Sequence, residues 1–151
     1  MSTGSAQITI ERPANEVWAA IADVTRMGDW SPECIAARWV GGANGPAAGA
    51  KFEGDNVAKV AGRIVKKWTT TAEVTACEPG VIFEFVAEGY TTWRYHFVPA
   101  GDSSTTVTES FDYIAKGFKG FVYDRILFRP KAMTNGMIST LARVKSTLEQ
   151  A

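Results

Sequence analysis

Residues 81–114 read VIFEFVAEGYTTWRYHFVPAGDSSTTVTESFDYI. Apolar or aromatic side chains alternate with polar ones in three segments of this stretch, at residues 81–87, 91–98 and 104–114. Alternation with a period of two is typical of a β-strand that buries one face. The intervening residues include Glu88-Gly89 and residues 99–103, which are short enough to be turns. The stretch therefore predicts an antiparallel meander.

The same kind of pattern continues toward the N-terminus. Further candidate strands are residues 63–76, 51–57, 35–40 and 7–11. Pro13 suits the first position of a helix over residues 13–22, and residues 23–30 are expected to form a second short helix. The sequence thus predicts about seven strands, with two short helices after the first.

The C-terminal third changes to a helical period. Its apolar positions are Met133, Met137, Leu141, Val144 and Leu148. Steps of three and four predict one face of a long helix, and Pro130 makes residues 117–128 a separate or kinked helical piece. Strands followed by this helix favour a single α+β domain over residues 1–151. We expect a curved antiparallel sheet wrapped around the C-terminal helix, since only that helix is long enough to cover it.

Composition excludes several kinds of function. Lysine plus arginine and aspartate plus glutamate both number 16, so nothing attracts the whole chain to nucleic acid or an anionic membrane. A local basic patch is left for the structure to reveal. Cys34 and Cys77 are expected to be reduced, and with His96 as the only histidine we expect no metal site. Residues 41–49 are glycine-rich but lack the pattern of a phosphate-binding loop, and we expect no cofactor.

The N-terminus and the hydropathy bear on location. Residues 1–7 lack the basic and apolar regions of a signal peptide. No stretch approaches the ~20 apolar residues that a transmembrane helix needs. We therefore expect a cytoplasmic protein without a transmembrane segment.

One face of the predicted sheet is crowded with aromatic side chains. Its members are Trp68, Phe83, Phe85, Trp93, Tyr95, Phe97, Phe111 and Tyr113. They either fill a core or line a ligand pocket, because small-molecule sites are mostly apolar and aromatic. The tyrosine hydroxyls need partners if buried, which favours a pocket. Met133 and Met137 fit either interpretation, while Gly136 marks a bend or leaves room for a ligand.

Glu109 falls on this apolar face, where an unpaired carboxylate is costly. It is either a ligand-binding or acid/base group with a raised pKa, or a residue that a β-bulge turns outward. His96 falls on the opposite face beside Arg94, as expected of a surface residue. No serine or cysteine is placed by the sequence to form a catalytic pair with it.

Two groups of motifs carry a family resemblance. They are Arg12-Pro13-Ala14-Asn15-Glu16-Val17-Trp18 followed by Trp30-Ser31-Pro32-Glu33, and Thr92-Trp93-Arg94-Tyr95, Pro99 and Thr106-Val107-Thr108-Glu109-Ser110. Together they resemble the polyketide cyclase/dehydrase-like branch of the SRPBCC (START-like, helix-grip) superfamily over nearly the whole chain. The resemblance implies a helix-grip fold with a deep hydrophobic tunnel between the sheet and the long helix.

The resemblance also implies site residues. Trp30, Ser31, Pro32 and Glu33 would lie near the cavity, and Trp93, Tyr95 and Glu109 in the sheet. In the alternative interpretation the first group is structural, with Trp30 capping the core and Pro32 ending a helix.

Three functions follow as hypotheses. Members of the superfamily bind lipids, sterols, polyketides or other hydrophobic molecules, so the first is a carrier or sensor for such a molecule. The second is a cyclase or dehydratase that uses Glu109 and Tyr95, although the acid, base and arginine set of a dedicated aromatase is not found. The third is an antitoxin-like or stress-regulatory subunit that docks a partner or a second copy through an unpaired sheet edge or an exposed patch around Phe118, Phe121 and Tyr123. We expect the protein to be a monomer or a homodimer.

Overall fold

A computed structural model describes residues 2–113 and 129–151. The strands in these ranges are β1 (Ser2–Ile10), β2 (Cys34–Val40), β3 (Lys51–Val60), β4 (Arg63–Glu78), β5 (Ile82–Ala87), β6 (Thr91–Gly101) and β7 (Ser104–Tyr113). The α-helices are α1 (Ala14–Ala22), α2 (Met27–Trp30) and α3 (Arg129–Glu149), and a 3-10 turn, Val24–Arg26, precedes α2. The predicted α+β architecture is confirmed.

The seven strands form one sheet in the order β1-β7-β6-β5-β4-β3-β2, and every neighbouring pair is antiparallel. Strands β2 to β7 follow one another as the predicted meander. Strand β1 closes the other side by pairing with β7 from Ser2↔Tyr113 to Ile10↔Thr105. This pairing carries β1 back to Ser2, whereas hydrophobic alternation marks only residues 7–11.

Helix α3 packs mainly on β1, β7 and α2. All five predicted apolar positions of this helix, from Met133 to Leu148, are buried. The helix approaches β1 so closely that a Cβ on Gly4 would lie 2.6 Å from both Phe111 Cε1 and Thr134 Oγ1. Because α3 presses on this side of the sheet, it stands away from β3 and β4, and space is left there.

Two helical predictions need correction. Residues 23–30 do not form a single helix, because the Val24–Arg26 turn comes first, with Thr25 N donating to Asp23 Oδ1 over 3.1 Å. Helix α3 includes Arg129 and Pro130, since a proline is tolerated in a first helical turn, where its missing N–H has no helical partner. The predicted helical piece at residues 117–128 and the strand end at Ile114 lie outside the described residues.

Strands β3 and β4 extend beyond both of their neighbours. Pairing of β2 with β3 stops at Asn56, and pairing of β4 with β5 covers only Ala72 to Glu78. Past these points the two strands pair only with each other, around a turn in which Ala61 and Gly62 have φ of 52° and 80°. We call residues 58–67 the tip ribbon.

No helix within the described ranges is long and apolar enough to span a membrane.

Candidate ligand-binding site

A cavity of about 890 Å³ lies between α3 and the inner face of the sheet. Ligand pockets usually measure ~300–1,000 Å³. The segment between α2 and β2 contributes Ser31, Pro32 and Glu33, while α3 contributes Met133, Gly136, Met137 and Thr140. Most of the remaining wall comes from strands β3 to β7, with Met27 of α2, Cys34 of β2 and the turn between β5 and β6 completing it.

Eight of the predicted site residues line this cavity. They are Trp68, Phe85, Trp93, Tyr95, Glu109, Tyr113, Met133 and Met137. The structure places the other four, Trp30, Phe83, Phe97 and Phe111, in the packed core. The sequence assigns all eight sheet aromatics to the inner face. Position along the strand separates Phe83 on β5 and Phe97 on β6 from the cavity wall, whereas Phe111 on β7 is packed between the cavity residues Glu109 and Tyr113.

Tyr95 and Glu109 form a buried pair inside the cavity. They stand directly opposite each other on β6 and β7, and the Tyr95 hydroxyl donates to Glu109 Oε2 over 2.9 Å. Glu109 is only 4% exposed, and its Oε1 has no hydrogen-bond partner among the described residues. The register shift between β6 and β7 falls between Pro99 and Gly101, so no bulge turns Glu109 outward.

Burial controls the charge of this pair. It raises the pKa of Glu109 to about 8, although the hydrogen bond from Tyr95 opposes the rise. Burial, followed by the neighbouring Glu109, raises the pKa of Tyr95 well above its usual value. Both groups are therefore predominantly neutral at pH 7, and the Glu109 carboxyl group still carries its proton.

A second polar group, Asn56, was missed by sequence reasoning. Its Nδ2 donates to Gly54 O and Thr70 Oγ1, each over 3.1 Å, which leaves its carbonyl oxygen to accept a hydrogen bond from a ligand. Phe52, Gly54 and Asn56 alternate on β3 and all line the cavity. Asn56 falls on the side of β3 that faces the cavity. A polar amide at an inward-facing strand position is the sequence signal that could have identified it, just as an inward-facing carboxyl group identifies Glu109.

Thr140 is a further buried polar residue that lines the cavity and was missed. It follows Gly136 by four residues, so both fall on the helix face that carries Met133 and Met137. A Cβ on Gly136 would lie 3.8 Å from Pro32 Cγ, an ordinary contact distance. Gly136 therefore widens the cavity between α3 and Pro32.

The segment that follows α2 joins the helix to the cavity wall. Ser31 Oγ accepts hydrogen bonds from Glu33 N over 3.3 Å and Cys34 N over 2.9 Å, and this turns the chain into β2. Trp30 points into the core, where it is 3% exposed, and the Arg26 guanidinium lies 4.8 Å from its ring. The structural interpretation thus fits Trp30, whereas Ser31, Pro32 and Glu33 line the cavity.

Exposed side chains form the mouth of the cavity. Lys66, Thr69, Glu88 and Tyr90 line it and are all exposed. Lys66 Nζ lies 5.4 Å from the ring of Trp68, a distance suited to a cation–π contact. The cavity therefore runs from a charged, exposed rim to a neutral, buried interior.

The cysteines and the histidine are peripheral to this chemistry. Cys34 and Cys77 are both free, and burial raises the pKa of the Cys34 thiol to about 11, so this part of the wall is a neutral thiol. His96 is exposed on the outer face, as predicted. Within residues 2–113 and 129–151, no three histidine, cysteine or acidic side chains are grouped to hold a metal ion.

Comparison with known proteins defines the class. The profile of the family described as "Polyketide cyclase / dehydrase and lipid transport" matches residues 1–149, and the chain belongs to this family. A Polyketide_cyc-like protein from Corynebacterium glutamicum, solved by NMR, is 32% identical, with 97% of this chain and 91% of that chain covered and a TM-score of 0.67. No match is found among curated proteins.

More distant structures share the fold alone. A START superfamily protein from Mycobacterium smegmatis is 15% identical, covers 99% of both chains and has a TM-score of 0.74. The Zhui aromatase/cyclase from Streptomyces sp. R1128 is 18% identical, with 98% of this chain and 93% of that chain covered and a TM-score of 0.68. The resemblance to START-like, helix-grip proteins is confirmed for the fold.

Proposed function

We propose that this protein binds a lipophilic small molecule, such as a lipid, a sterol or a polyketide-like compound, as a carrier or sensor. The observation that carries the proposal is the 890 Å³ cavity with aromatic and methionine walls around a few fixed polar groups. Such a surface gains free energy by removing an apolar ligand from water. The name of the family, which includes lipid transport, agrees with this function.

The polar groups favour a ligand whose buried part is uncharged. Among the described residues that line the cavity, Lys66 is the only lysine or arginine, and it lies at the exposed rim. An anionic group deep in the cavity would have no counter-charge there, and burying an unpaired charge is costly. A fatty-acid carboxylate, for example, would have to stay at the rim near Lys66.

The Glu109 carboxyl group selects a hydrogen-bond acceptor on the ligand. Tyr95 donates to Oε2, so the proton of the neutral acid is best placed on Oε1, the oxygen without a partner. A rotation of the carboxyl group would bring Oε1, which is buried in this structure, to the cavity surface, where it would donate to a carbonyl, ester or hydroxyl oxygen of the ligand. Leaving a buried donor unsatisfied costs ~1–3 kcal/mol, which a ligand with an acceptor at this position would recover.

The same pair supports a second candidate function, a cyclase or dehydratase. A carboxylic acid with a pKa of about 8 is protonated at neutral pH and can act as a general acid toward a ketone oxygen. Tyr95 would hold the acid in place. The patch around Phe118, Phe121 and Tyr123, one of the two docking surfaces that the third hypothesis offers, lies outside the described residues.

Native mass spectrometry of the purified protein, followed by solvent extraction, tests the carrier function. Met137→Trp would fill the cavity, while Ile138→Trp is a matched control, because Ile138 is exposed on the next position of α3. We expect a defined adduct, or uptake of a sterol or neutral lipid, that Met137→Trp abolishes and Ile138→Trp retains.

Two other outcomes decide against the carrier. A protein that is free of ligand and fails to bind neutral lipids, sterols and aromatic polyketides would show that this proposal is wrong. Recovery of a polyketide-like compound in cyclised or dehydrated form, with turnover lost in Glu109→Gln, would establish the enzyme instead.

A further inference from the structure

The tip ribbon combines exposed apolar and basic side chains. Val60, Ile64 and Val65 are 64%, 48% and 62% exposed. The cations Lys59, Arg63, Lys66 and Lys67 flank them in the sequence and are exposed as well. Exposed apolar side chains that are grouped and rimmed by polar residues, unlike single ones, can mark a site of interaction with a protein or a membrane.

Its charge is concentrated and unbalanced. No aspartate or glutamate occurs between Asp55 and Glu73, although the chain as a whole has no net charge. Within the described part of the chain, none of the four cations forms an ion pair, whereas Arg38 at the base of the same sheet pairs with Glu53 and Asp55. The tip ribbon is therefore a local basic patch, which the balanced composition of the whole chain does not exclude.

Its position makes these groups accessible. Val57 N on β3 still donates to Glu33 O, and Thr71 O on β4 accepts from Glu88 N, but between these residues neither strand has an outer neighbour among the described residues, so the ribbon projects from the sheet. At ~3.3 Å per residue, the ribbon projects roughly 15 Å beyond β2 and roughly 30 Å beyond β5. The turn at Ala61 and Gly62 therefore forms the end of the ribbon farthest from the rest of the sheet. Val60, Arg63 and Ile64 lie next to this turn.

We propose that the tip ribbon docks on the surface of an anionic phospholipid bilayer. Val60, Ile64 and Val65 would enter the headgroup region, while the four cations bind lipid phosphates. Both interactions are required at such a surface, since buried apolar area and attraction to anionic lipid contribute together. Nucleic acid would use the cations but would leave the three aliphatic side chains in water.

Docking would bring the cavity to the bilayer. Lys66 belongs to the ribbon, and it lines the cavity together with Trp68 and Thr69, which follow it on β4. A ribbon seated in the headgroups would therefore hold the mouth of the cavity close to the lipid. The membrane contact itself does not depend on what the cavity binds.

Vesicle flotation with the full chain tests the proposal. We expect binding to vesicles of phosphatidylglycerol and phosphatidylcholine in equal parts, little binding to phosphatidylcholine alone, and loss of binding in high salt. Arg63→Glu should weaken binding roughly tenfold, because one cation near the anionic surface becomes an anion. Ile64→Ser combined with Val65→Ser should also weaken it, with the salt dependence unchanged.

Matched controls separate the ribbon from general charge and folding effects. Lys51→Glu makes the same charge change at the opposite end of β3, and Val98→Ser removes an exposed valine on β6. Both should bind like the unaltered protein, and circular dichroism should show all variants folded. Equal losses in Arg63→Glu and Lys51→Glu would overturn the proposal. So would failure of the unaltered protein to bind anionic vesicles, or binding to single-stranded RNA in their place.

Discussion

Tyr95 and Glu109 face each other across β6 and β7, with the tyrosine hydroxyl 2.9 Å from Oε2 of the carboxyl group. The hydrogen bond fixes one oxygen of the acid, and the other, Oε1, is buried without a hydrogen-bond partner among the described residues. Because both residues are buried, the pair behaves as a neutral donor–acceptor unit and not as an ion pair. Its properties lead to predictions about stability, pH and ligand choice.

Glu109→Gln should stabilise the protein at pH 7–8. The folded-state pKa of about 8 lies above the usual 4.5, so the folded protein holds this proton more tightly than the unfolded chain. The stability that Glu109 contributes is therefore complete below pH 4.5 and is lost as pH rises through about 8. We expect Glu109→Gln to gain roughly 2–4 kcal/mol over the parent at pH 8 and little at pH 4.

Urea denaturation across this pH range measures the effect. Glu73→Gln, at an exposed carboxylate of β4, is the control and should show no such pH-dependent gain. A gap between Glu109→Gln and the parent that is constant with pH would mean that Glu109 does not titrate in this way.

Tyr95→Phe should destabilise the protein by ~1–3 kcal/mol, because it leaves Glu109 Oε2 buried without its donor. The same change should raise the pKa of Glu109 further, since the Tyr95 hydrogen bond lowers it. Carbon-detected NMR titration of the Glu109 carboxyl group would report the shift. An unchanged titration curve would show that the hydrogen bond does not form in solution.

Gly136→Ala should raise stability by ~0.5–1 kcal/mol, because alanine is the better helix former and its Cβ would meet Pro32 at an ordinary 3.8 Å. The added methyl group should also narrow the cavity, so the binding of the largest ligands should be weakened selectively. Thermal unfolding and competition between a sterol and a smaller neutral lipid would check both effects. Equal affinity losses for both ligands would contradict a steric role.

Gly4→Ala should have the opposite effect on stability. Its Cβ would lie 2.6 Å from Phe111 and Thr134, and Phe111 is held in place between Trp93 and Tyr113. Overpacking of this kind costs ~1–3 kcal/mol. Denaturant unfolding of Gly4→Ala beside Gly136→Ala would compare a glycine in tight packing with one beside open space, and equal effects would contradict the packing described for α3 on β1.

The sequence pattern predicts well which face of the sheet a side chain lies on. It predicts poorly whether that side chain lies in the packed core or on the cavity wall. Alternation assigned Glu109 to the inner face because a strand has a strict period of two. It could not separate Phe83, which is fully buried in the core, from Phe85, two residues later and on the cavity wall. That distinction depends on where α3 crosses the sheet, and this is set by the close approach at Gly4, a contact between elements far apart in the sequence.

The exposure of the tip ribbon is also not predictable from the sequence. The sequence predicts strands at residues 51–57 and 63–76, and it shows one cation, Lys59, between them and three more, Arg63, Lys66 and Lys67, in the second strand. Their exposure depends on β2 and β5 stopping short, which follows from strand register and not from the local pattern.

The unpaired edges of β3 and β4 at this ribbon offer backbone N–H and C=O groups to any other strand, a hazard that open sheets commonly meet with charged side chains. Four cations on so short a segment repel the tip ribbon of a second molecule. In water they therefore oppose edge-to-edge pairing of strands between molecules. An anionic surface that neutralises them removes this protection. Crowding on such a surface should therefore favour chain-to-chain strand pairing, which cross-linking on charged and uncharged vesicles would detect.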